Sequence, residues 1–151
     1  MARSKTDGQL SLHGRKLMVS ESGNLVSNGR QMTPPAVHAT ITVGAEATNV
    51  RTINIALFDA EGRAIDYVET FEIVVFSSAA MTAFATGGST GVAIGTNGAL
   101  LALVAKICFL ATSESDGTWD GTWTDIGTES VSVAVRLPNG NVIPSTAFAN
   151  T

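Results

Sequence analysis

Apolar residues recur at every second position through most of this chain, and that period decides what it can fold into. Val131, Val133, Val135 and Leu137 alternate with Ser130, Ser132, Ala134 and Arg136. Ile53, Ile55 and Leu57 alternate with Thr52, Asn54 and Ala56. Phe71, Ile73 and Val75 enclose Glu72, and the same spacing joins Ile41 to Val43 and Ile107 to Phe109 and Ala111. Successive side chains of an extended chain point to opposite faces, so this pattern gives each segment one apolar face. A helix, with 3.6 residues per turn, would scatter the same residues around its circumference. The runs are separated by Glu61-Gly62, Asn97-Gly98, Asp116-Gly117 and Asn139-Gly140. Gly there supplies the positive φ that tight turns demand. Short alternating strands joined by such turns predict an antiparallel β-sandwich. One segment dissents: Ser78–Ala85 has the composition of a short helical turn, with a strand restarting over Val92–Ile94.

Charge divides the chain at Pro34-Pro35. Before it, Arg3, Lys5, Arg15, Lys16 and Arg30 face Asp7 and Glu21, a net of +3; after it, four cations face eleven acids, a net of −7. The first part carries its own strand signals. Leu10 and Leu12 flank Ser11, Leu17 and Val19 flank Met18, and Leu25-Val26 follows the turn residues Ser22-Gly23-Asn24. They predict one or two short strands, which a two-stranded hairpin cannot stabilise alone in water. Residues 1–38 are therefore expected as an extended N-terminal arm that joins another sheet, with the sandwich over 39–151. A net of +3 gives weak, salt-sensitive phosphate binding, and the arm has almost no aromatic residue to stack a base. No nucleic-acid partner is expected; an acidic protein surface fits better.

Other classes fall away on composition. Charged residues are 15% of the chain, against about 25% in ordinary soluble domains. Gly, Ala, Ser and Thr fill 66 of the 151 positions instead, which suits a surface covered by other protein. Met1–Gly8 lacks the apolar core of a signal peptide, and the longest apolar run, 99–105, is too short to span a bilayer. Synthesis in a cytoplasm and no membrane partner are the expectations. The single Cys108 excludes a disulfide scaffold and reads as a buried, inert thiol between Ile107 and Phe109.

Both histidines, His13 and His38, lie in the arm, so the body offers none for a triad. Gly87-Gly88-Ser89-Thr90-Gly91 lacks the lysine and the order of a phosphate loop and reads as a flexible hairpin loop. The acids Glu114, Asp116, Asp120, Asp125 and Glu129 lack EF-hand spacing, and solvated turns account for them as well as calcium does. Trp119 and Trp123 share one strand face, either as core anchors, as a protein-binding hot spot or as a stacking platform for a sugar.

Residues 39–66 and 107–143 resemble the opening and closing strands of Ig-like domains in tailed-bacteriophage virion proteins. The likeness rests on the paired strands around Ile41–Leu57, the Ser115-Asp116-Gly117 turn before Trp119, and the last apolar strand running into Pro138-Asn139-Gly140. It covers about two thirds of the chain. It implies an all-β fold, an antiparallel Ig-like β-sandwich with an extended N-terminal β arm. It further implies a structural virion protein made in the host bacterial cytoplasm, first of all a capsid cement or decoration protein. A head-fibre, tail-fibre or other tail-appendage subunit, or a glycan-binding module, is the alternative. The implied partners are other virion proteins, foremost the major capsid protein, and further copies of the chain, as a trimer. No enzymatic activity, catalytic residue, metal or cofactor is expected. The candidate partner-binding residues are Leu10, Leu12, Leu17, Val19, Leu25, Val26, Trp119 and Trp123.

Overall fold

The structure is a computed structural model. It describes residues 10–12, 15–19, 25–27, 30–32, 35–86 and 88–151. The chain divides into two compact units, Met1–Pro34 and Pro35–Thr151. The division falls four residues before the boundary expected from the sequence. The reason lies in Pro35–Val37: Ala36 is fully buried in the core of the second unit, and the Val37 amide donates to the Phe58 carbonyl.

The first unit is an antiparallel sheet of four short strands, β1 (Leu10–Leu12), β2 (Arg15–Val19), β3 (Leu25–Ser27) and β4 (Arg30–Met32), in chain order. The apolar pattern of the sequence predicts only one or two strands here. Arg30–Met32 carries no apolar alternation, so its strand is defined only by pairing with β3. The register places Leu10 opposite Leu17, Val19 opposite Leu25, and Met18 opposite Val26.

The second unit is all strand and loop, with no helix among the described residues. Its nine strands are β5 (His38–Val43), β6 (Val50–Phe58), β7 (Thr70–Phe76), β8 (Gly91–Ile94), β9 (Ala99–Val104), β10 (Cys108–Thr112), β11 (Thr118–Thr124), β12 (Ser132–Arg136) and β13 (Val142–Pro144). They form two antiparallel sheets, ordered β5-β6-β11-β8 and β13-β12-β7-β10-β9. The period-two residues do what their spacing requires. Ile53, Ile55 and Leu57 of β6 and Trp119 and Trp123 of β11 meet Phe71, Ile73 and Val75 of β7 and Val133 and Val135 of β12 in one buried cluster. The two sheets therefore pack face to face as a β-sandwich.

The turn residues behave as their chemistry demands. Gly62, Gly98, Gly117 and Gly140, one in each turn dipeptide, all have φ between +75° and +88°. Ser78–Ala85 forms no helix. It is a run of bends and turns clipped back by the Ser77 and Ala85 amides, which donate to the carbonyls of Ala83 and Val75. Phe84 then stacks on Phe76, ring centroids 5.5 Å apart. The expected solvent face of β12 also differs: Ser132 and Ala134 are fully buried. Ser132 Oγ donates to the Ser145 carbonyl at 2.9 Å, and Ser145 Oγ accepts the Val133 amide at 3.1 Å, so the chain after β13 covers that face.

Candidate interaction surfaces

The tryptophans settle first. Each is 1% exposed, so neither indole can serve as a surface hot spot or stack on a sugar. In β11, Trp119, Gly121 and Trp123 point inward while Asp120 and Thr122 point outward. Gly121 makes the arrangement fit. A Cβ there would stand 2.3 Å from Trp119 Cη2 and 2.5 Å from the Ala93 carbonyl oxygen. The indole lies across the bare glycine backbone, and its Nε1 donates to the Ala99 carbonyl at 3.1 Å. A buried indole N–H needs such a partner. The two residues anchor the core and leave the set of candidate partner-binding residues.

The acids of 114–129 accept hydrogen bonds from nearby loop and turn groups, four of them from backbone amides and Glu129 from a hydroxyl. Glu114 accepts from Gly98 N at 2.9 Å. Asp116 accepts from the amide and hydroxyl of Thr118, at 3.0 and 2.7 Å, and these bonds hold its carboxyl below the usual carboxylate range. Asp120 accepts from Thr96 N and Asn97 N across the β8–β9 loop. Asp125, 5% exposed, accepts from Ser89 N and Gly127 N, and Glu129 accepts from the Thr86 hydroxyl. Among the described residues no three of His, Cys, Asp and Glu converge as metal ligands would.

The glycine-rich loop is pinned rather than flexible where it is described. Gly88 has φ +62° and lies against the Trp123 ring. Lys106 Nζ donates to the carbonyls of Gly88 and Ser89, and the Ser89 hydroxyl donates to the Thr124 carbonyl while accepting from Ile126 N. Cys108 is partly buried; burial, and then the Glu72 charge, push its thiol above the ordinary value, away from the reactive thiolate. His38 is exposed and tilted against the Phe58 ring. His13 lies outside the described residues.

Sequence reasoning missed two features. The first is a polar clasp around Arg51. Its guanidinium donates to the carbonyls of Gly44 and Ala149 and to Asn150 Oδ1, beside the Glu46 carboxylate at 3.9 Å. The second is an exposed apolar flank. Leu101, Leu103 and Val104 of β9 are 60%, 50% and 53% exposed, at the edge of the five-stranded sheet. The run 99–105 was visible as the longest apolar stretch, but periodicity cannot report that a strand lies at a sheet edge.

Leu10, Leu12, Leu17, Val19, Leu25 and Val26 all lie on strands of the first unit, on β1, β2 and β3. No helix among the described residues is long and apolar enough to cross a membrane. The chain matches no protein-family model, no curated protein and no solved structure.

Proposed function

We propose that this chain is a structural subunit of a tailed-bacteriophage virion, a capsid cement or decoration protein that assembles as a homo-oligomer. The sandwich body is read as Ig-like, and the chain is read as having no enzymatic role. The observation that carries this reading is the division of the chain: a small four-stranded unit with net charge +3 beside a sandwich body with net charge −7. A small sheet with β1 and β4 as its edge strands is suited to attachment. Backbone N–H and C=O groups at such an edge pair with an edge on another protein, and the basic side chains favour an acidic acceptor. The proposed acceptor is the major capsid protein shell. The resemblance in residues 39–143 supplies the virion context.

Immunogold electron microscopy on virions of the phage that carries the gene tests the proposal. Label distributed over the head is the expected result. Label confined to the tail assigns the chain to an appendage instead. Particles without label, from lysates in which the protein is abundant, overturn the virion role.

A further inference from the structure

We propose that two copies of this chain join through β9, pairing antiparallel about a two-fold axis at Leu101 so that the five-stranded sheets become one sheet of ten strands. The inference rests on the strand itself and stands whether or not the protein belongs to a virion.

Among the described residues, one side of the β9 backbone pairs with no strand. In β10, the Ile107 carbonyl accepts from Val75 and the Ser113 amide donates to the Glu69 carbonyl, so odd-numbered residues there bond toward β7. Even-numbered residues must then bond toward β9. Thr112 is opposite Ala99 and Leu110 is opposite Leu101, so the N–H and C=O groups of Leu100 and Ala102 point away from β10. β9 is the last strand of its sheet, so no further strand of this sheet takes them up.

Sheet edges are ordinarily protected by charge, proline or brevity. β9 has six residues, Ala-Leu-Leu-Ala-Leu-Val, with neither charge nor proline. The nearest cation, Lys106, is turned onto the Gly88 and Ser89 carbonyls. The register with β10 shifts at Leu103, and Ala99–Ala102 pair with β10 in unbroken register.

Two arguments name the occupant as a second copy. Pairing about Leu101 sets Leu100 against Ala102, Leu101 against Leu101 and Ala99 against Leu103, so every cross-strand pair is apolar. Both outward-pointing residues then bond each other, as the antiparallel pattern requires. Charge gives the second argument. Two bodies of net −7 repel, but residues 99–113 contain no carboxylate at all. The strand thus brings two acidic bodies together along a stretch without carboxylates, Glu114 lying at its start on the Gly98 amide, and its Leu101, Leu103 and Val104 are each at least half exposed.

Sedimentation of the full chain at high micromolar concentration tests the pairing. The expected mass is that of an even number of chains, halved by Leu101→Lys and by Ala102→Pro while each variant keeps a cooperative thermal transition. Val142→Lys, on the far edge strand β13, is expected to leave the mass unchanged. In a Cys108→Ser background, Leu101→Cys should cross-link into covalent dimers on mild oxidation, because facing residues of a non-hydrogen-bonded pair lie within disulfide reach. Val142→Cys should not cross-link. A monomeric or odd-numbered wild type, a mass indifferent to both β9 substitutions, or cross-linking at Val142 but not at Leu101 would each overturn the proposal.

Discussion

At the scale of single residues, β11 shows what a period-two pattern can and cannot say. The even spacing of Trp119 and Trp123 gave their common face correctly. It could not say whether that face met the core or solvent, because alternation is the same from either side. The deciding residue is Gly121, which by itself reads only as a weak strand former. Its missing side chain is the space in which the Trp119 ring lies, so Gly121→Ala forces the indole or the Ala93 carbonyl to move. Overpacking of this kind costs about 1–3 kcal/mol. Urea unfolding of Gly121→Ala should show that loss against wild type. An unchanged midpoint would mean that the ring has room to shift and that the glycine is not what places it.

At the scale of elements, the strands with a buried apolar face were legible and the segments held by polar contacts were not. β6, β7, β10, β11 and β12 each announce themselves, since their inward residues are apolar and their turns carry Gly at positive φ. The segment after β13 has no such signature, yet it completes the fold. Phe148 bridges Val131, and Asn150, 3% exposed, donates to the carbonyls of Asn49 and Asp125 while accepting from Arg51. One amide thus ties together the β5–β6 loop, the end of β11 and the last residues of the chain. A sequence pattern cannot reveal this, because the partners lie about 100 and 25 positions away and are mostly backbone carbonyls. Asn150→Ala leaves those carbonyls and the Arg51 Nε–H without that partner in a region partly shielded from water. Unsatisfied buried groups cost about 1–3 kcal/mol each at most sites. Chemical denaturation should register a loss in that range, and Asn150→Asp should recover less than half of it, because a carboxylate restores the acceptor but not the two donors. Full stability in Asn150→Ala would show that the clasp forms without contributing.

At the scale of the whole molecule, the division between the two units falls at the Pro34-Pro35 pair. From the sequence the boundary is expected after residue 38, just before the alternation that opens with Ile41 and Val43. The structure carries the body back to Pro35 through a residue too small to register in any periodicity: Ala36, fully buried, with its amide donating to Glu69 Oε2 at 3.3 Å. The described core cluster packs the two sheets of the body against each other, and the body is a compact unit from Pro35 on. The body therefore holds its own core, and removal of residues 1–34 should leave it folded. A cooperative thermal transition within a few degrees of the full chain is expected, since a loss of about 1 kcal/mol in a domain of this size moves the midpoint by roughly 4 °C. Removal of residues 1–38 should be worse, because it takes away Ala36 and the Val37 amide that pairs with Phe58. The two truncations separate attachment from folding. If the first unit is the attachment element, the chain lacking 1–34 should keep its transition and lose its binding to particles. A truncated chain that still decorates particles at full occupancy would transfer the attachment role to the sandwich body.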